Sequence, residues 1–301
     1  MNNKLITFDC MHLMYRNRFM LHTMKNSKGM STGSIYGTLN SIEGYRKRFP
    51  DFKMIFLHDT KPMVRKEIYP EYKANRQDKP DWYSDFLHEV DTLKQILKNM
   101  DIIQYSANGY EADDLAQYIV EKYKKTYKDG DRCILTTGDS DWLQLVDDDY
   151  NINVIEPIND RLYLNSQVCH KYSIDKPNKV IFIKILKGDS GDNIKGICRI
   201  PTKVVQYIVN HYSNVDELIA NVSNDNNIPE RWRRQLNDNR SILKLNEQLI
   251  DLSKIVIKTP IQKIEGSYNE KALLTIYRDL EFKKYIDIII KNQLIRGSTN
   301  D

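Results

Sequence analysis

Short apolar runs that end in an acid, separated by longer segments with helical spacing, organise this chain. Leu5-Ile6-Thr7-Phe8 ends in Asp9, Met54-Ile55-Phe56-Leu57 leads through His58 to Asp59, and the run from Cys133 to Gly138 leads to Asp139. Apolar runs without polar alternation predict strands in a sheet covered on both faces. Between them, Phe86-Leu87-Val90-Leu93-Ile96-Leu97 and Leu115-Ala116-Ile119-Val120-Tyr123 repeat at the helical period. Strand alternating with helix predicts an α/β fold with a mostly parallel central sheet flanked by helices. Ligands of such sheets bind beyond the carboxyl ends of the strands. Asp9, Asp59 and Asp139, remote in sequence, are therefore expected on one edge.

Three segments concentrate further acids: GYEADD (Gly109 to Asp114), TTGDSD (Thr136 to Asp141) and KGDSGDN (Lys187 to Asn193). Two readings apply to each. Asp suits turns and helix starts; alternatively, like charges gather because a hard divalent cation draws them together, which points to phosphoryl transfer. Glu111 and Asp114, three apart at a helix start, share a face. Asp139 and Asp141 point the same way in extended chain, and Asp189 and Asp192 stand three apart across a glycine-containing turn.

Composition narrows the class. The 301 residues suit roughly two domains. No run approaches the ~18 apolar residues of a membrane span. No signal peptide is expected, because Asp9 interrupts the early apolar stretch; the expectation is a soluble, cytoplasmic protein with no membrane partner. Cys10, Cys133, Cys169 and Cys198 form no CxxC pair and are expected to be buried free thiols. If Asp9, Asp59, Glu111, Asp113, Asp114, Asp139, Asp141, Asp189 and Asp192 form one site, 32 acids remain against 45 Lys and Arg, a surplus of 13 positive charges that suits a polyanionic partner. Arg65-Lys66, Lys73 with Arg76, Arg231 with Arg233-Arg234, and Lys283-Lys284 are basic clusters that also read as solvated helix faces.

GYEADD, TTGDSDW and LKGDSGDNIKG, in this order, with Asp9 and Asp59 on preceding strands, resemble the motifs of the 5′ nuclease superfamily. The chain is most similar to its stand-alone bacteriophage 5′→3′ exonuclease and flap endonuclease members, some described as RNases H. The resemblance runs from about Leu5 to at least Asn210. It implies a PIN-like nuclease core at 1–185, with an arch or gateway at about 60–98. A helix-turn-helix-like duplex-binding module with C-terminal helices follows at 186–301. It assigns Asp9, Asp59, Glu111, Asp113 and Asp114 to a first metal ion, and Asp139, Asp141, Asp189 and Asp192 to a second. Two Mg²⁺ ions, replaceable by Mn²⁺, would drive hydrolysis to 5′-phosphate and 3′-hydroxyl ends without a protein nucleophile. His12 and His58 are weak general-base candidates, since a continuing strand points His58 to the face opposite Asp59.

The segment Thr60 to Asp85, roughly 26 residues, is long for an idle loop. Its Tyr-Lys-x-x-Arg pattern matches the family's gateway at Tyr72, Lys73 and Arg76. Lys73 and Arg76 are expected to bind the scissile phosphate and stabilise transition-state charge. Tyr72, and less directly Trp82 and Tyr83, are expected to stack on an unpaired base. Asp9-x-x-x-Leu13-x-Tyr15-Arg16 resembles the family's first motif, with Arg16 either a phosphate contact or a structural ion pair. Past Asp192, NIKGICRIPTKVVQYIVNHY matches a module in which Lys203 would hold duplex phosphates. Arg199 and Pro201 stand where the family usually has glycine, removing positive-φ freedom and one amide donor, so this turn is expected to differ, with Arg199 a compensating charge.

The implied partners are branched, flapped or nicked duplex DNA, RNA–DNA hybrids and replication proteins, with the chain a monomer. Residues 213–301 carry less information: Pro229 opens a helix, RWRRQ is helical, and Leu273, Leu274, Ile276, Tyr277 and Leu280 have helical spacing. Two alternatives remain. One is a non-catalytic scaffold for branched DNA, motivated by the altered turn. The other is a phosphatase with Asp9 as nucleophile, although Asp9-Cys10-Met11 lacks the Asp-x-Asp such chemistry commonly uses.

Overall fold

The computed structural model describes residues 3–76 and 79–297, with side chains described as far as 291. In chain order the elements are β1 (Lys4–Asp9), α1 (Cys10–Met20), α2 (Gly33–Arg48), β2 (Lys53–Leu57), α3 (Met63–Ile68), α4 (Tyr83–Asn99), β3 (Ile103–Ala107), α5 (Ala112–Thr126), β4 (Arg132–Thr136), β5 (Ile152–Glu156) and β6 (Arg161–Tyr163). There follow α6 (Asn165–Tyr172), α7 (Val180–Lys187), β7 (Gly188–Asp189), β8 (Ile194–Lys195), α8 (Thr202–His211), α9 (Val215–Asn221), α10 (Glu230–Asp238), α11 (Arg240–Ile250), β9 (Ile261–Ile264), α12 (Glu270–Asp279) and α13 (Lys283–Gly297).

Chain packing separates two compact units. Among the described residues, the first comprises 3–7, 59–76 and 106–261; the second comprises 8–58, 79–105 and 262–297. Packing therefore does not divide the chain at 185/186, because the first unit runs on through α7 to α11. Of the expected gateway, Gln77 and Asp78 lie outside the described residues.

In the first unit the strand order is β6-β5-β4-β1. β4 and β5 are parallel, with Cys133 opposite Ile152 and Thr136 opposite Ile155, and β6 returns antiparallel. Cys133, Ile134 and Leu135 are buried to the last atom, as an apolar run covered on both faces requires. α5 buries Leu115, Ala116, Ile119, Val120 and Tyr123 along one stripe. A separate two-stranded hairpin, β7 with β8, carries the KGDSGDN motif.

In the second unit β2 runs parallel to β3, pairing Ile55 with Ile103, and β9 lies on the far side of β3. Phe8 stacks on Phe56 at 4.8 Å. α4 buries Phe86, Val90, Leu93, Ile96 and Leu97, while Leu87 falls outside the stripe and is exposed. α12 packs against α4 and buries Leu273 and Tyr277. The α/β class with mostly parallel strands is thus borne out. No described helix is long and apolar enough to cross a membrane. Cys10 and Cys133 are buried free thiols, but Cys169 is half-buried and Cys198 exposed, so the expectation of buried thiols holds for two of the four.

His58 at the end of β2 is buried, its Nε2 paired with Gln104 Oε1 at 2.9 Å. Burial pushes the imidazole from 6.5 down to about 4. An unfolded chain takes up this proton near pH 6.5 and the folded chain only near pH 4. The contribution of neutral His58 is therefore complete above pH 6.5 and lost as the pH falls to about 4. Urea unfolding of wild type and His58→Gln at pH 7 and pH 4.5 is expected to show their stability difference moving by about 2–3 kcal/mol in favour of the variant at low pH. A pH-independent difference would refute the assignment.

Candidate active site

The first unit brings eight of the nine candidate acids onto a few short segments. Glu111 precedes α5, and Gly109 just before it turns the chain at φ +90°, a conformation an L side chain strains to adopt. Thr60 stabilises that turn: its Oγ1 donates to the carbonyls of Ala107 and Tyr110 and accepts from the Gly109 and Tyr110 amides. Asp59, exposed beside it, accepts from the Ala112 amide at 2.7 Å. Asp139 opens the 3-10 turn Ser140–Leu145 and accepts from the Asp141 amide at 2.8 Å. Asp189 lies in β7, where its Oδ1 accepts from the Gly191 and Asp192 amides and shapes the hairpin turn. The hairpin stems touch so closely that a Cβ on Gly196 would lie 2.1 Å from the Lys187 carbonyl carbon.

These acids differ in compensation. Glu111, Asp114 and Asp192 face three cations. Arg65 donates to both oxygens of Asp114 at 2.8 and 2.9 Å, and to Glu111 Oε2 at 3.3 Å. Lys73 donates to Glu111 Oε1 and lies 3.5 Å from Asp192, which Arg76 also meets at 3.0 Å. The Tyr72 hydroxyl reaches Glu111 Oε2 at 2.9 Å and Asp192 Oδ2 at 2.8 Å. Burial, then the Glu111 charge, raises the Tyr72 pKa, so the phenol stays protonated as a donor. Although burial opposes it, the Glu111 and Asp192 charges hold Lys73 above its ordinary range. Three acids against three bases form a neutral network.

The second group is not neutral. One ligand oxygen each from Asp113, Asp139 and Asp141 lies within 4.8 Å of the others. Their one cationic hydrogen-bond partner among the described residues is Lys184, which donates to Asp141 and, at 3.0 Å, to Asp189. Burial, then the charges of Asp139 and Glu111, raises the Asp113 carboxyl well above its ordinary range. Burial and Asp139 push Asp141 up to about 6. The Trp142 indole, wholly buried, donates to Asp113 Oδ1 at 2.6 Å and fixes its orientation. Converging carboxylate oxygens with excess negative charge and no sulfur or imidazole among them fit a hard divalent cation.

Several expectations are revised by this geometry. Asp113 clusters with Asp139 and Asp141 rather than with Glu111 and Asp114, because the first turn of α5 points successive side chains in different directions. Arg65, read as half of a surface pair with Lys66, is 4 % exposed and is the main partner of Asp114. Tyr72 is buried and bound to two carboxylates, so its ring is not presented for base stacking. In the second unit, Trp82 has Arg18 over its ring at 5.2 Å and Tyr83 has Lys79 at 4.2 Å, so one face of each half-buried ring already carries a cation. Asp9 ends β1 and caps α1 by accepting from the His12 amide at 2.9 Å; Arg16 is half-buried on α1.

The turn before α8 also departs from expectation. Arg199 itself adopts φ 56°, so loss of glycine has not removed the left-handed conformation; it is taken up at a cost of about 1–2 kcal/mol. Pro201 caps α8 through its carbonyl, which the Val204 and Val205 amides reach at 3.0 Å, a role that needs no amide donor. Arg199 and Lys203 are exposed and make no ion pair among the described residues. Lys184, Arg65 and Trp142 went unsingled as site residues in the sequence. Trp142 closes the TTGDSDW motif, the one local signal of the three; Lys184 lies on α7 and meets Asp189 only because the chain turns into β7.

Comparison with known proteins accords with this arrangement. The chain is 31% identical over 293 residues to DNA polymerase I of Caldicellulosiruptor bescii, covering 94% of this chain and 33% of that protein. It is 28% identical over 266 residues to the 5′-3′ exonuclease of Buchnera aphidicola subsp. Acyrthosiphon pisum, covering 86% and 89% of the two chains. The chain thus spans about a third of the polymerase and most of the stand-alone exonuclease. Its fold matches that of the bacteriophage T5 D15 flap endonuclease, crystallised as a pseudo-enzyme-product complex with DNA and metal ions. There the TM-score is 0.68 at 23% identity, over 96% of this chain and 98% of that one. The family model for the 5′-3′ exonuclease N-terminal resolvase-like domain matches residues 4–173, and that for the 5′-3′ exonuclease C-terminal SAM fold matches residues 175–272. With those two models meeting end to end over most of its length, and the acids of the first converging as described, the chain belongs to the 5′-3′ exonuclease family of the 5′ nuclease superfamily.

Proposed function

We propose that this protein is a structure-specific 5′ nuclease that hydrolyses phosphodiester bonds at the 5′ ends or flaps of branched or nicked DNA, and RNA primers in RNA–DNA duplexes. The products would carry 5′-phosphate and 3′-hydroxyl ends. The observation that carries this reading is the split of one acidic region into a neutral network and an under-compensated trio. A phosphodiester polyanion can approach such a site only if cations intervene, and the trio has only Lys184, which it shares with Asp189. Asp113, Asp139 and Asp141 would hold a Mg²⁺ or Mn²⁺ ion, and a second would draw on Asp192 or Glu111 in exchange for their basic partners. Bound divalent cations supply Lewis acidity that activates water and stabilises the departing 3′ oxygen.

The chain's own groups have separable tasks. Trp142 keeps one Asp113 oxygen engaged and leaves the other for coordination. Lys184 spaces Asp141 from Asp189. Tyr72, kept protonated, cross-links Glu111 to Asp192 and takes no part in proton transfer. Lys73 and Arg76 bring positive charge to the edge of the acids, where a scissile phosphate would displace carboxylates as their partner. The exposed Arg199 and Lys203 support phosphate contact with duplex beyond the cut. We place the protein in the cytoplasm as a monomer; action beside replication proteins is supported by the DNA polymerase I relatives.

The test is digestion of 5′-labelled flap, nicked and RNA-primed duplexes with Mg²⁺ or Mn²⁺, with product sizing. Metal-dependent products released from the 5′ end are expected, and EDTA should reduce cutting to background. Tight binding of flap DNA with no turnover under any divalent cation would favour the scaffold alternative.

A further inference from the structure

We propose that α11, which carries none of the acids, is the element that sets their spacing, with Asn246, Arg65 and Gln144 as positioning residues. This rests on the nuclease reading above and assigns a task to part of the C-terminal module other than contact with DNA. Asn246 is 1 % exposed, and its side-chain amide donates to the carbonyls of Ile185 at 2.9 Å and Lys195 at 2.8 Å. Ile185 lies in α7, which leads into the hairpin that bears Asp189 and Asp192, and Lys195 lies in the hairpin's second strand, so a single side chain ties the hairpin to the helix before it. Three residues on, the Leu249 carbonyl, left without a helical partner at the end of α11, accepts from Arg65 Nε at 3.2 Å. The same guanidinium grips Asp114 and Glu111. The next carbonyl, of Ile250, accepts from Gln144 Nε2 at 3.3 Å, while Gln144 Oε1 accepts from the Leu252 amide at 3.1 Å. Gln144 lies in the turn that carries Asp139 and Asp141.

One and a half turns of α11 are therefore tied to all three acid-bearing segments: Asn246, Arg65 and Gln144 each donate to a main-chain carbonyl, Gln144 also accepts from the Leu252 amide just past the helix, and Arg65 passes the hold on to the Asp114 and Glu111 carboxylates. Asp114 belongs with these positioning groups. Both of its oxygens are occupied, Oδ1 by Arg65 and Oδ2 by Arg65 and the Glu111 amide at 2.9 Å, which orients Glu111 without freeing a ligand atom. Such supporting contacts typically govern metal affinity or activity by about 10–100-fold.

Asn246→Leu keeps the branching and the number of side-chain heavy atoms and deletes both donor hydrogens; Gln144→Met deletes the contact of its own segment more gently. Mn²⁺ binding without DNA, followed by electron paramagnetic resonance, is compared with the single-turnover rate and the Kd for flap DNA. Asn246→Leu is expected to weaken Mn²⁺ binding about tenfold or more and to slow single-turnover cutting by about 10–100-fold, with the flap Kd within about twofold of wild type. Gln144→Met should show a smaller effect of the same kind. Should Asn246→Leu fail to fold by circular dichroism, Gln144→Met decides on the same readouts. Unchanged Mn²⁺ affinity and rate in a folded variant, with only a lower melting temperature, would overturn the proposal. If wild type cut no substrate, the nuclease reading would fail, and the Mn²⁺ comparison would still judge the positioning role.

Discussion

Asp113→Asn is expected to abolish cation-dependent cutting while making the cation-free protein more stable. Asp113 sits among the like charges of Asp139, Asp141 and Glu111, and its carboxyl is raised well above its ordinary range, first by burial and then by Asp139. Folding therefore works against this carboxylate at neutral pH. An amide removes the charge, and its oxygen still accepts the Trp142 Nε1–H bond. Loss of one converging anionic oxygen should lower the single-turnover rate on a 5′-flap substrate by on the order of 10³-fold. Without divalent cation, the melting temperature should rise by a few degrees, at about 2 °C per kcal/mol for a chain of this size. The sign of the pH dependence follows from the raised carboxyls. The folded state holds protons that the unfolded state has released, so wild-type stability declines as the pH rises through the interval from the ordinary carboxylate value to about 6, where Asp141 titrates. The advantage of the variant should accordingly be larger at pH 8 than at pH 5. Calorimetry in EDTA at the two pH values and a rapid-quench assay suffice; wild-type cutting together with a lower melting temperature would remove Asp113 from the site.

Lys73→Ala is expected to slow the chemical step by about 10²–10³-fold while changing flap-DNA affinity by no more than a few-fold. Lys73 is placed by its backbone as much as by its side chain. It adopts φ 57°, its amide donates to the Asp192 carbonyl at 3.0 Å, and its ammonium reaches Glu111 and Asp192. A cation held that firmly against two candidate ligands is preorganised, and preorganised charge acts on the transition state more than on the encounter. Lys73→Arg, longer and planar, should recover only part of the rate. Single-turnover rates at saturating DNA separate the two effects. Loss confined to Kd would make Lys73 a tether for the strand.

Much of this site was readable along the chain. Acids at strand ends and at a helix start are local features, and their order carries the family. What failed were statements about environment. Arg65 beside Lys66 has the appearance of a surface pair, and Tyr72 beside Lys73 that of a stacking platform. Both are buried because Asp114, 49 residues beyond Arg65, and Asp192, 120 beyond Tyr72, close over them. Arg199, expected to abolish a positive-φ turn, adopts that turn at a modest cost.

The α/β alternation, the three acid-bearing motifs and membership of the 5′ nuclease superfamily were determined by sequence alone, since periodicity and short-range spacing depend on neighbours within a turn or a strand. Which acids are neutralised and which are left to demand a cation was decided only by tertiary structure. Lys184 lies 43 residues from Asp141, Trp142 lies 29 from Asp113, and Asn246 lies 61 from the carbonyl it holds. Charge compensation depends on distances and burial that exist only once those segments have been brought together.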